Sequence, residues 1–150
     1  ESHKNLDGNW MLAVAGGGSD LEEVKKIAAG DARISILGPQ ERSEIAGLFS
    51  AADLTIVPSF CYENSPAVIS ESLVAGVPVL VSRIGGAGEP VRQGENGWTF
   101  TPGSKDELLE KIKPFVSEPA RLAAMSEACR KSVAEYDLTK YIENLIKLIS

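Results

Sequence analysis

The sequence predicts an α/β domain built on an open, mostly parallel sheet flanked by helices. Three observations predict it. Short apolar runs recur along the chain, at Trp10–Ala15, Ile34–Leu37, Leu54–Val57 and Val79–Val81. Segments of helical length, each with an apolar stripe, lie between them. The residues after the runs are rich in glycine or polar side chains: Gly16-Gly17-Gly18, Gly38-Pro39, Ser59–Ser65 and Ser82–Gly88. Strands alternating with helices in this way form βαβ units and a parallel sheet. In such sheets ligands sit beyond the carboxyl ends of the strands, so these loops predict one functional rim.

Each element follows from its residues. Trp10–Ala15 is continuously apolar, which predicts a central strand buried on both faces. Ser19 or Asp20 caps a helix to about Ala29, with Leu21, Val24, Ile27 and Ala28 as its stripe. Ile34–Leu37 is the second strand, and Gly38-Pro39 closes it. A helix from about Arg42 to Ala51 presents Ile45, Leu48, Phe49 and Ala52. Leu54–Val57 is the third strand and Ser65–Ala75 the third helix, which Gly76 stops with Pro78 just beyond. Val79–Val81 is the fourth strand. Gly85–Gly88 reads as a flexible loop before a short helical turn at Glu89–Arg92. Gly94–Gly97 is a turn, and Trp98–Phe100 the last strand. Ser104 and Glu107 have the spacing of a capping box, opening a helix to about Val116. Further helices are predicted over Pro119–Glu135 and Thr139–Ile149.

The chain of 150 residues suits a single domain with one core, spanning residues 1–150. Apolar residues at 43% and charged residues at 24% make it globular rather than disordered. A net charge of −6 argues against a nucleic-acid partner, which needs a basic face. It leaves room for a small anion held by backbone amides at a helix end. Cys61 and Cys129 are the only cysteines and His3 the only histidine. That leaves a zinc site close to excluded and any histidine-dependent triad unavailable within this chain, and the cysteines read as reduced and structural. No apolar run approaches the ~20 residues of a membrane span, and no signal peptide is visible. A cytoplasmic location is expected. The first residue is Glu1 rather than methionine, which fits a fragment of a longer protein or a processed chain.

The densest set of chemical groups lies in Pro58–Gly76. Ser65 as N-cap and Pro66 at the first helical position make a firm helix start. Backbone N–H groups from Ala67 and Val68 onward would face the rim, where the helix dipole favours a diphosphate; a capped helix with no ligand has the same residues. Glu71 lies about five residues, roughly 7–8 Å, along the axis from Pro66. At that distance a carboxylate can accept hydrogen bonds from both hydroxyls of a ribose. Glu71 interrupts a helix that is otherwise almost wholly apolar, and a buried carboxylate is costly without a partner. Glu63, in the preceding loop, is placed to reach a sugar. Two carboxylates also suit a glycosidase, but both of these cluster on one side of a helix tip suited to phosphate. Gly16-Gly17-Gly18-Ser19 permits close backbone approach to a phosphate or sugar, or is only a tight turn. Neither the dinucleotide fingerprint nor the P-loop pattern is present.

From Leu12 to about Arg130 the chain resembles the C-terminal, donor-binding domain of a retaining GT-B glycosyltransferase of family 4, the glycosyl transferases group 1. The pieces that carry the resemblance are AVAGGG, SILG, EIAGLFSAADLTIVPS, the E-x7-E block ENSPAVISE, SLVAGVPVLVS, GGAGEPV and GENGWTF, in that order. The resemblance implies a Rossmann-like half of a GT-B fold. It implies that Glu71 holds the ribose and that Glu63 faces the donor sugar in the catalytic position. It places Asn64 and the backbone of Ser65, Pro66, Ala67 and Val68 along the diphosphate and sugar. The turn at Leu37-Gly38 lies against the base, and Gly16 and Gly17 border the donor. The donor is a nucleoside-diphosphate sugar, no metal or other cofactor is needed, and the acceptor is a glycan or lipid-linked molecule in polysaccharide biosynthesis. The acceptor-binding N-terminal half, any peripheral membrane contact it makes, and an upstream arginine and lysine are implied to lie outside these residues. The isolated fragment is therefore expected to be inactive. Asn64-Ser65-Pro66 stands where many relatives carry Gly or Phe-Gly. Two other readings fit the same fold: a GT-B nucleotide-sugar epimerase, and a non-catalytic nucleotide-binding module.

Overall fold

The computed structural model describes residues 6–134, 142, 146 and 147. His3 and most of the helix expected over Thr139–Ile149 lie outside the described residues. In chain order the elements are β1 (Leu12–Ala15), α1 (Leu21–Ala28), β2 (Ile34–Gly38), α2 (Arg42–Ser50), β3 (Thr55–Val57), α3 (Ala67–Ala75), β4 (Val79–Ser82), β5 (Gly97–Phe100), α4 (Lys105–Ser117), α5 (Ala120–Ala123) and α6 (Ser126–Val133). Every pairing between these strands is parallel. β1 pairs with β2, and β3, β4 and β5 form a three-stranded group in that order. No strand hydrogen bond joins the two groups among the described residues.

The core belongs to the second group. Val57, Ile69, Leu73, Val79, Val81, Ala87 and Cys129 pack into one buried cluster. Removing their apolar surface from water is the main term that holds these elements together. α3 is clasped between the β3–β4 strands and α6. Its Ser72 hydroxyl donates to the Val77 carbonyl (2.9 Å) and lies 2.8 Å from the Thr55 hydroxyl, so a buried polar group is satisfied on the sheet side. Gly76 ends α3 in the left-handed region (φ 85°), and its N–H and that of Val77 return to the Leu73 and Ser72 carbonyls. Arg130 of α6 donates to the Ala75 carbonyl (2.9 Å), a cation at the negative end of the helix.

Several expectations are corrected. β1 is not a doubly buried central strand: Met11 is 79% exposed, and Leu12, Ala13 and Ala15 are exposed too. An apolar run signals a strand, but burial needs a covering layer, and α1 packs on β2 instead. Gly85–Gly88 is not a flexible loop. Ala87 is in the core and the Gly86 N–H is bonded. Glu89–Arg92 is not a helical turn. Gly85–Pro90 is a run of tight turns, and Pro90 has no N–H with which to propagate a helix. The helix expected over Pro119–Glu135 is two helices, broken where the Met125 N–H turns back only three residues to the Leu122 carbonyl (3.0 Å). Ser104 caps α4 as expected, accepting from the Glu107 N–H (3.3 Å). The Glu107 carboxylate, however, accepts from the Thr101 N–H (2.8 Å) rather than closing the box. That bond holds the Glu107 carboxyl below its ordinary range.

Candidate functional site

The β3 exit is where the predicted rim is best defined. The Ser82 hydroxyl at the end of β4 donates to the Ser59 carbonyl (2.5 Å). The Gly86 N–H, four residues on, donates to the Glu63 carbonyl (2.9 Å). The loop from Ser59 to Glu63 is thus pinned at both ends by the chain leaving β4. Between the pins Phe60 is 71% exposed and Tyr62 is 86% exposed. Cys61 is exposed there as well, so only Cys129, buried in the core, plays the structural part expected of both cysteines.

The helix start is shifted by one residue. Pro66, not Ser65, is the N-cap, with φ −62° and an extended ψ of 117°, and α3 begins at Ala67 without a side-chain cap bond. Proline fixes its own φ but leaves ψ free, and Ser65, preceding a proline, is itself biased away from helix. The consequence for the site is favourable. The Ala67 and Val68 amides have no intrahelical acceptor, and no acidic residue stands in the first turn to meet the positive end of the helix.

Glu71 stands on the open side of α3, between Ala67 and Val68 one turn before it and Val74 one turn after. All three of these neighbours are exposed, and Glu71 itself is half-buried. It makes no hydrogen bond or ion pair among the described residues. The expected cost of a buried lone carboxylate therefore does not arise, because α3 turns Ile69, Ser72 and Leu73 to the core and leaves this face uncovered. The carboxylate is free to accept from a ligand.

Gly16, Gly17, Leu37 and Gly38 form a separate group. The Gly16 N–H donates to the Gly38 carbonyl (2.8 Å), extending the β1–β2 ladder past a register shift at Val14/Ala15. Gly17 lies against Pro39, whose ring would be 3.0 Å from an added Cβ. Gly16 and Gly17 line a depression of about 300 Å3 that continues to Asp20 and Val24. The structure thus brings Glu63, Asn64, Ser65, Pro66, Ala67, Val68 and Glu71 onto one loop–helix unit. It brings Gly16, Gly17, Leu37 and Gly38 onto another. No hydrogen bond joins the two among the described residues. A larger depression of about 460 Å3, along the end of α1 and the face of β2, holds none of the predicted residues.

Sequence reasoning missed Gly85 and Gly86 as site residues. A Cβ on Gly86 would overlap the Asn64 carbonyl oxygen, and one on Gly85 would lie 2.6 Å from the Glu63 carbonyl oxygen. The glycine pair is visible in the sequence, but the backbone it accommodates is more than 20 residues away.

A strand, a pinned loop carrying one carboxylate, an uncapped helix start and a second carboxylate one turn in suit an anionic ligand bearing hydroxyls. The family model for glycosyl transferases group 1 matches residues 1–132. The chain belongs to the glycosyl transferases group 1 family. The D-inositol 3-phosphate glycosyltransferase of Rhodococcus opacus is 31% identical over 116 residues, which are 77% of this chain and 26% of that protein. The chain spans about a quarter of the length of the first curated relatives it matches. Among solved structures, Anabaena Alr3699/HepE in complex with UDP overlays with a TM-score of 0.80 at 23% identity, over 99% of this chain and 43% of that one. S. aureus TarM overlays with a TM-score of 0.83 at 17% identity, over 98% and 30%. These overlays show the fold, a Rossmann-like α/β half of a GT-B glycosyltransferase. The match to the group 1 family includes both groups of predicted site residues. Among the described residues no helix is long and apolar enough to cross a membrane.

Proposed function

We propose that this chain is the donor-binding, C-terminal domain of a group 1 glycosyltransferase. The enzyme transfers a hexose-type sugar from a nucleoside-diphosphate sugar, with retention, to a glycan or lipid-linked acceptor in cytoplasmic polysaccharide biosynthesis. The carrying observation is the unit from Ser59 to Glu71: a pinned Glu63, free amides at Ala67 and Val68, and an unpartnered Glu71 about one turn further on. Glu71 accepts from the ribose hydroxyls. The amides of α3 face the diphosphate, where donors aimed at developing charge stabilise the leaving group. Glu63 faces the transferred sugar. Gly16, Gly17, Leu37 and Gly38 border the nucleoside. The leaving diphosphate assists deprotonation of the acceptor, and its charge is met by amides and by basic residues outside this chain rather than by a metal. Complexes of Alr3699/HepE with UDP and UDP-glucose support the donor class.

The test is a thermal-shift panel of UDP, GDP, ADP and dTDP on the full-length protein. One diphosphate is expected to raise Tm, by about 2.7 kcal/mol of added stability at a hundredfold excess over Kd. Glu71→Ala should then weaken that diphosphate about 10- to 100-fold, the worth of hydrogen bonds to a charged group. Unchanged affinity would remove Glu71 from the site and the transferase reading of this unit with it.

A further inference from the structure

We propose that Gly85-Gly86 is a positioning element for Glu63, a backbone saddle that sets where the carboxylate stands relative to the donor sugar. The proposal rests on the reading of Glu63 given above. Three observations carry it. The Gly86 N–H donates to the Glu63 carbonyl (2.9 Å). Side-chain volume is forbidden at both glycines by the loop itself: the nearest atoms to an added Cβ are the Glu63 backbone at Gly85 and the Asn64 backbone at Gly86. Gly85 also takes a left-handed φ of 55°, which turns the chain under the loop. The saddle is itself fixed, because Ala87 is buried in the core and its N–H returns to the Ile84 carbonyl (3.2 Å).

The nearest atoms to a Cβ added at either glycine belong to the loop. α3 has its own anchors in Ile69, Leu73 and the Ser72 bonds. Displacing the saddle therefore moves Glu63 while Glu71 and the amides of Ala67 and Val68 stay in place. Gly88, in the same turn run, is different: an added Cβ there meets the Thr99 methyl at 3.6 Å and the Arg83 Cγ at 3.9 Å, both ordinary contacts.

The experiment uses the full-length enzyme with UDP-glucose, UDP-N-acetylglucosamine, GDP-mannose, ADP-glucose and dTDP-glucose. On whichever donor the wild type consumes, Gly86→Ala should lower kcat on the order of 100-fold, the effect of about 1 Å of misplacement. The donor KM should change less than about 3-fold, and Gly88→Ala should match the wild type. In a Glu63→Gln background, Gly86→Ala should cost less than about 3-fold more, since residues acting through one another are non-additive. A kcat within about 3-fold of wild type, or losses that multiply fully in the double variant, would overturn the proposal. Should Gly86→Ala not fold, Gly85→Asn, which tolerates the left-handed region, presses on the same Glu63 carbonyl and is judged by the same split. If the wild type consumes none of the donors, the transferase reading itself falls; if it does and kcat survives the substitution, only the saddle falls.

Discussion

The two strand groups differ in how they are covered. Val79, Leu80 and Val81 of β4 are fully buried, between β3 and β5 in the sheet and under α3. In the other group no residue of α1 is buried, and β1 shows apolar side chains to solvent on both faces. The difference separates two kinds of site residue. Glu71 hangs on a helix fixed in the core, and Glu63 on an exposed loop pinned by hydrogen bonds to the chain leaving β4, which is itself buried. Gly16, Gly17, Leu37 and Gly38 hang on a two-stranded ladder whose position depends mainly on its own hydrogen bonds.

The largest test of this contrast is a matched pair of leucines. Leu73 is buried on α3, and Leu73→Ala should cost about 2–5 kcal/mol, transfer and cavity terms together. Leu12 is 37% exposed on β1, and Leu12→Ala should cost less than about 1 kcal/mol. Urea denaturation of both variants checks this. Equal losses would mean that β1 is covered in solution and that the contrast does not hold.

What the sequence made legible follows the same division. The β4 run, the Gly76 stop and the parallel α/β order are local signals reinforced by packing, and they appear as expected. Gly76 also fits because Arg130 and Ser126 crowd the space a Cβ would fill, which no local pattern announces. The burial of Trp10–Ala15 is not legible, because periodicity reports a strand but not what lies over it. The helix starts one residue later than Ser65-Pro66 suggests, because proline usually opens a helix at the first position while here Pro66 keeps an extended ψ of 117°. Spacing and resemblance nominate Glu63 and Glu71. The glycine pair under the Glu63 loop is not legible in the sequence, because close approach between Gly86 and Asn64 is a tertiary fact.

A second test uses buried polarity. Asn96 is fully buried; its side chain accepts from the Arg92 N–H (2.7 Å) and donates to the Pro90 carbonyl (3.0 Å) and the Ser132 hydroxyl (2.8 Å). This ties the turn before β5 to α6. Asn96→Ala removes all three bonds, while the Ser132 hydroxyl keeps its bond to the Cys129 carbonyl (2.7 Å), and should cost about 2–3 kcal/mol. Ser35, exposed on β2, is its counterpart, and Ser35→Ala should stay within about 0.5 kcal/mol of wild type. A small loss at Asn96 would show that the second group tolerates unpaired polar atoms, and would weaken the view that its geometry is rigidly set.

A smaller effect than at Leu73 or Asn96 is expected at Gly16, and it probes coupling between the groups. Gly16 has φ 138°, a region that side chains rarely adopt, yet an added Cβ would meet nothing within 4 Å. Its cost as alanine is therefore conformational, with no steric overlap like that at Gly97, where a Cβ would collide with the Val79 carbonyl. Such strain is worth about 1–3 kcal/mol, and the lower end, about 1 kcal/mol, applies where the backbone can relax. Relaxation should loosen the bond from the Gly16 N–H to the Gly38 carbonyl, so amide exchange should quicken at Gly16 and along β1 while Leu80 and Val81 keep their protection. If exchange at Leu80 also quickens, the two groups open as one cooperative unit. The glycine group of the proposed donor site would then be as firmly held as the group that carries Glu71.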